Sequence, residues 1–179
     1  MTGAAAGRPV VREAGDCALL VEFDSRIDPL LNARAIAVAE SVRSAALSGV
    51  TDVVPAYRSV GIYLDPLQAH RESIEAMVHS AAALVPAAIE GKLVEVPVVY
   101  GGTSGSDLEA VARWSGLSER EVIARHAGRD YRVYMLGFLP GFAYMGSVDP
   151  AIAAPRHASP RLRVRKGSVG IAGARGKNF

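Results

Sequence analysis

The sequence predicts an α+β protein in two parts: a β-α-β-β-α-β unit over residues 15–90 and a β-rich unit over residues 91–179. Three observations predict it. Short apolar runs alternate with stretches of helical apolar spacing through the first ninety residues. Pro86 and Gly91 then interrupt that alternation. From Tyr131 onward the chain becomes a series of short segments divided by Gly and Pro.

Residues 1–14 are small and polar, with Arg8 and Arg12 but no apolar stretch of signal-peptide length, and are expected to be a flexible N-terminus. Cys17–Phe23 (CALLVEF) is apolar enough for a buried strand. Asp24, Ser25, Asp28 and Pro29 supply turn and helix-start chemistry. Leu30–Leu47 follows with Leu30, Leu31, Ala35, Val38, Ala39, Val42, Ala45 and Ala46 at helical spacing, and Gly49 is the expected stop. Val50–Ala56 and Val60–Leu64, joined by Tyr57, Arg58 and Ser59, predict an antiparallel hairpin.

Asp65-Pro66 opens a second expected helix, with Leu67, Ile74, Met77, Val78, Ala81, Ala82 and Val85 on its apolar side. Leu93–Tyr100 (LVEVPVVY) is the last expected strand of the series. That order corresponds to the split βαβ, ferredoxin-like arrangement with two helices on one face of a sheet. Gly101–Gly105 is a flexible joint. Ser106/Glu109 and Ser118/Glu121 have capping-box spacing, which predicts helices at Asp107–Ser115 and Glu119–His126.

Half of the 179 residues are hydrophobic, as in a globular chain, and the formal net charge of +2 is too small to indicate nucleic acid as a partner. Charge is uneven, however: after Asp149 come only Arg156, Arg161, Arg163, Arg165, Lys166, Arg175 and Lys177. Such a tail attracts phosphates, carboxylates or an acidic protein face. Cys17 is the only cysteine, so no internal disulfide or cysteine-based metal site forms, which fits a reducing compartment. No apolar stretch approaches membrane-spanning length. A cytoplasmic protein is expected.

Several motifs fail on inspection. Counting back from Gly176-Lys177 puts Ile171 where a phosphate loop needs its first glycine, so Gly167, Gly170 and Gly173 read as strand and turn glycines. His70, His79, His126 and His157 have no metal-ligand spacing and read as solvent-facing or capping histidines. Ser168 lacks the full Gly-x-Ser-x-Gly nucleophile elbow, since Lys166 stands where the first glycine is needed. Arg161–Arg165 (RLRVR) alternates as a strand with one wet face, or as a row of guanidinium groups for an anion. In Gly137–Gly146 the Pro140-Gly141 pair favours a tight turn that would hold Phe138, Phe142 and Tyr144 together. Those aromatics make either a core hairpin or the wall of a pocket or partner surface.

Taken in order, these segments resemble a family. The run Tyr131–Gly146 (YRVYMLGFLPGFAYMG), then Pro155-Arg156, Pro160-Arg161 and Gly167–Gly173 (GSVGIAG), is similar to the 5-oxoprolinase B subunit family, also called allophanate hydrolase subunit 1 or KipI-like. Gly15-Asp16, Val54–Ser59 (VPAYRS), Asp65-Pro66 and Glu95–Gly102 (EVPVVYGG) extend the resemblance upstream. It implies an N-terminal α/β domain followed by a cyclophilin-like β-barrel. It also implies work with the carboxyltransferase-type C component and the A component of 5-oxoprolinase in the ATP-dependent opening of 5-oxoproline to glutamate. Mg²⁺ is then expected with ATP on the complex, with no metal held by this chain.

On that resemblance Arg156, Arg161, Gly167 and Ser168 are the expected substrate or ATP contacts, and Phe138, Pro140, Gly141, Phe142 and Tyr144 the wall. No catalytic residue is assigned. Two other activities attach to the family: inhibition of a sensor histidine kinase, and allophanate hydrolysis. Two departures stand out. Where the family reads Val-Pro-Ala-Gly-Ser-Val, this chain has Val164-Arg165-Lys166-Gly167-Ser168-Val169. Where the family continues through Gln-Thr-Gly-Ile-Tyr-Pro and Pro-Gly-Gly-Trp, this chain reads Ala174–Phe179 (ARGKNF). A barrel incomplete at its C-terminus is therefore expected, with open strand edges and reduced stability.

Overall fold

The computed structural model describes residues 7–84, 90–171 and 173. The chain divides into two compact units, Met1–Glu90 and Gly91–Phe179. The expected break at Pro86, the apolar position Val85 and the divergent tail Ala174–Phe179 lie outside the described residues.

The first unit holds β1 (Val10–Glu13), β2 (Ala18–Glu22), α1 (Pro29–Ala45), β3 (Val50–Pro55), β4 (Ser59–Leu64) and α2 (Arg71–Ala83). The four strands form one antiparallel sheet in the order β1-β2-β4-β3. Alternation puts Leu19 and Val21 of β2, and Val60, Ile62 and Leu64 of β4, on the buried side. They share a core with Val38, Ala39 and Val42 of α1 and Ile74 and Val78 of α2.

The start of α1 follows the sequence signal closely. Pro29 takes the first turn, and the Asp28 carboxylate accepts from the N–H groups of Leu30 and Leu31 at 2.8 and 3.2 Å. Inside the core, Arg34 donates Nη2 to the carbonyl of Ala82 at 2.8 Å and lies 4.7 Å from the Phe23 ring centroid. A buried cation there offsets the carbonyl end of α2, whose last turn has no basic residue of its own. The hairpin motif is held by Arg58, which donates to the Phe23 carbonyl at 3.0 Å and pairs with Glu22 at 3.3 Å.

Four expectations change here. Val10–Glu13, within the stretch predicted to be flexible, is the edge strand β1 and pairs with β2 in register Val10↔Glu22 to Glu13↔Leu19. Leu93–Tyr100 is no strand: residues 91–99 are exposed, and Pro97 has no N–H to give a ladder. The order is therefore β-β-α-β-β-α, with β1 supplying the fourth strand. Helix α1 ends at Ala45 with Ala46 left-handed (φ +46°), so Gly49 serves as a turn glycine instead of a stop. At Gly49, φ is +77° and a Cβ would come within 2.4 Å of the Ala69 nitrogen. Finally, α2 begins at Arg71 rather than at Asp65-Pro66. The Asp65 side chain closes a turn by accepting from Leu67 N–H at 3.0 Å, leaving Leu67 exposed.

The second unit contains α3 (Leu108–Ser115), α4 (Glu119–Ala127), β5 (Val133–Leu136), β6 (Ala143–Met145) and a 3₁₀ turn at Pro150–Ile152. Its small core joins Ala112, Val122, Val148, Ile152 and Ala153, with Leu108, Leu117, Tyr131 and Ile171 packed against them. The described residues here are less β-rich than expected, with one two-stranded antiparallel sheet, β5-β6. Arg161–Arg165 is irregular and exposed instead of a strand. The Ser118–Glu121 capping box forms, Ser118 Oγ accepting from the Glu121 N–H and the Glu121 carboxylate from the Ser118 N–H at 2.8 Å. The Ser106–Glu109 box does not form. The N-cap of α3 is Asp107, which makes no capping bond, and Glu109 pairs with Arg113 four residues on at 2.6 Å.

Candidate functional site

Between β5 and β6 the chain turns through Leu139-Pro140-Gly141-Phe142. The Phe142 N–H donates to the Leu139 carbonyl at 3.0 Å, and Gly141 has φ +78°, the conformation a type II turn demands of its third residue. Phe138 is also left-handed at φ +63°, a conformation that an aromatic residue seldom adopts. The result is an edge-to-face series: Phe138 lies 5.7 Å from Phe142, and Phe142 lies 5.0 Å from Tyr144. Tyr144 is buried, while Phe138 and Leu139 are 78% and 58% exposed. The aromatic turn thus has one end in the fold and one in solvent.

The basic segment makes a second grouping. Arg161 Nη1 donates to Asp107 Oδ2 at 2.7 Å, and Nη2 donates to Asp107 Oδ1, a bidentate pair. His157 Nε2 lies 3.4 Å from Asp107 Oδ2. The Arg161 hydrogen bonds, with a smaller contribution from His157, hold the Asp107 carboxyl below its ordinary range. The same bonds to Asp107 raise Arg161 above its own. Arg156 is exposed one residue before His157. Gly167 has φ +82° in a second turn, where Ser168 donates both its N–H (3.1 Å) and its hydroxyl (2.7 Å) to the Arg165 carbonyl. The donors of Ser168 are therefore engaged within their own turn, and not with Arg156 or Arg161.

Asp107 and His157 are the residues that sequence reading does not single out for this grouping. Asp107 lies 50 residues from His157 and 54 from Arg161, and no local spacing carries a signal across such a distance.

A third grouping surrounds His126. Its Nδ1 meets the Tyr100 hydroxyl at 2.6 Å, and the Tyr131 hydroxyl donates to its backbone carbonyl at 3.0 Å. Burial pushes the His126 imidazole below its usual range and pushes both tyrosines up. His126 is therefore more than a helix-end cap. It anchors the end of the exposed segment 91–99 and the start of Tyr131–Gly146 on one helix. Among the described residues no group of three or more His, Cys, Asp or Glu side chains is placed to hold a metal ion.

Residues 9–176 match the family model described as "Carboxyltransferase domain, subdomain C and D". The chain belongs to this family. Among curated relatives of this carboxyltransferase-domain chain, the 5-oxoprolinase B subunit of Bacillus subtilis is 36% identical over 175 residues, covering 91% of this chain and 73% of the relative. The Escherichia coli O157:H7 protein of the same name is 36% identical over 163 residues, covering 89% and 72%. Among solved structures, TTHA0988 superposes with a TM-score of 0.73 at 36% identity, covering 92% of this chain and 31% of that one. The carboxyltransferase-domain chain thus spans about three quarters of these curated relatives and under a third of that solved chain. No helix among the described residues is long and apolar enough to cross a membrane.

Proposed function

We propose that this chain is the B component of an ATP-dependent 5-oxoprolinase that opens 5-oxoproline to glutamate. The observation that carries the reading is the 36% identity, over about nine tenths of the chain, to two curated proteins of that name. A lactam amide is a poor electrophile. Transfer of the ATP γ-phosphoryl group to its oxygen, with ADP leaving, makes the ring carbon open to water. The adduct then expels the ring nitrogen as the amine, and hydrolysis of the acyl phosphate releases phosphate and glutamate. Both the substrate carboxylate and the phosphoryl group are anionic, and Arg156 and Arg161 are the groups this chain offers them. In this reading the Gly137–Tyr144 turn is the wall of the site, and Gly167 and Ser168 shape the loop that follows the arginines.

In this reading the protein acts with the carboxyltransferase-type C component and the A component of 5-oxoprolinase, and ATP with Mg²⁺ is the co-substrate of the complex. The ferredoxin-like and cyclophilin-like descriptions of the two units belong to the same proposal. Co-expression with the A and C components, followed by an assay of ATP-dependent glutamate release, tests it. Equal release with and without this chain would reject it. The exposed Phe138 and Leu139 favour a second reading, a docking surface for a protein partner such as a sensor histidine kinase. Unchanged kinase autophosphorylation on adding the chain would remove that reading. Allophanate as substrate is separated by supplying it to the same three-component assay.

A further inference from the structure

We infer that the Arg161 fork, flanked by His157, is a binding site for the carboxylate of a small-molecule ligand, and that Asp107 fills it as an internal surrogate. The inference rests on the 5-oxoprolinase reading and deepens it: the carboxylate in question is that of 5-oxoproline.

Three features carry it. Both terminal nitrogens of Arg161 meet both oxygens of Asp107, and His157 Nε2 stands on one of those oxygens at 3.4 Å. Planar bidentate contact of this kind suits a carboxylate or a phosphate, and the group that fills the fork here is itself a carboxylate. Next, Asp107 has left the role its position offers. An aspartate at an N-cap ordinarily accepts from the amides of the first helical turn, yet this one makes no capping bond and has φ −96°, ψ −7°.

Lastly, the pair is poised to open. The side chains of Arg161 and Asp107 are 46% and 41% exposed, so water screens their attraction and a competing carboxylate meets a small barrier. Once Asp107 swings out, Arg156, His157, Arg161, Arg163, Arg165 and Lys166 form a basic segment. Asp149 is the last acidic residue in the sequence, and it is engaged with Arg125 at 2.9 Å. Asp107 thereby sets the affinity of the site, and its release couples ligand binding to the start of α3.

Calorimetric titration of the full chain with 5-oxoproline, with 2-pyrrolidone (the same lactam without the carboxylate) and with inorganic phosphate tests this. Asp107→Asn removes the competing charge and is expected to bind 5-oxoproline about two- to fivefold tighter than the unmodified chain, the worth of an exposed ion pair. Asp107→Ser, which restores a good N-cap, is expected to do the same. Arg161→Ala is expected to abolish the gain, and 2-pyrrolidone to respond to none of the changes. Trp114 fluorescence checks that each variant is folded. If Arg161→Ala weakens binding while neither Asp107 variant strengthens it, the surrogate role is overturned and the arginine's role stands. Undiminished binding by Arg161→Ala, or no binding by either Asp107 variant, overturns the site itself. Tightening for phosphate alone overturns the assignment to a carboxylate. Failure of the three-component glutamate assay, by contrast, bears on the activity and not on this fork.

Discussion

Ile152 is the most deeply buried side chain of the second unit's core, with no exposed surface. Replacing it by alanine removes three carbons from a core it shares with Ala112, Val122, Val148 and Ala153. The expected cost is about 2–5 kcal/mol, transfer and cavity terms together. A unit of this size has a total stability of roughly 5–10 kcal/mol, so the loss is a large share of it. Trp114 is the chain's single tryptophan and lies on α3, which makes its fluorescence a probe of this unit. In urea, with a slope near 1 kcal/mol per molar, the Trp114 midpoint should fall by about 2 M or more. Ile152→Val deletes one methyl group and should cost about 0.5–1.5 kcal/mol. A shift for Ile152→Ala no larger than that of Ile152→Val would refute the claim that this small core holds Val148–Ala153 against α3 and α4.

Gly141→Ala forces a Cβ into φ +78° where no neighbour crowds it, so a backbone cost of about 1–2 kcal/mol is expected. Gly141→Asn should cost less, and equal urea midpoints for both would argue against the type II turn. Ser118→Ala deletes the cap of α4 and should destabilise by about 0.5–2 kcal/mol in the same assay. Its partner Glu121 has a carboxyl held low by the Ser118 hydrogen bonds. That contribution is complete above the ordinary Glu range and disappears as pH falls through the lowered value. For His126 the folded pKa is depressed by burial, so the unfolded chain takes up the proton first, near pH 6.5. The stabilisation is full above that pH and lost as pH falls through the folded value. Between pH 7 and 5.5 the Trp114 midpoint should therefore drop more in the unmodified chain than in His126→Gln, and parallel curves would contradict the buried, neutral imidazole.

The elements written into short stretches of chain were legible from the sequence. Asp28-Pro29 ahead of an apolar helical stripe fixed the start of α1, because the cap and the ring act within three residues. Two β-branched runs three residues apart fixed the β3–β4 hairpin, Ser118 with Glu121 fixed the start of α4, and Pro140-Gly141 fixed the aromatic turn. The ordered series of motifs also sufficed for the family. Tertiary structure decided what depends on partners distant in sequence. Val10–Glu13 becomes a strand because β2 offers it an open edge, whereas Leu93–Tyr100, more strand-like in composition, is irregular with a proline at its centre. Asp107 belongs to a capping motif by spacing and to a guanidinium fork by position, since a bidentate ion pair 54 residues away wins its carboxylate. His126 likewise shifts its pKa through burial beside Tyr100 and Tyr131, an environment that no local pattern announces. Capping and turn chemistry act over three or four residues and can be read directly, but edge pairing, ion-pair choice and desolvation depend on which distant groups the fold brings within reach.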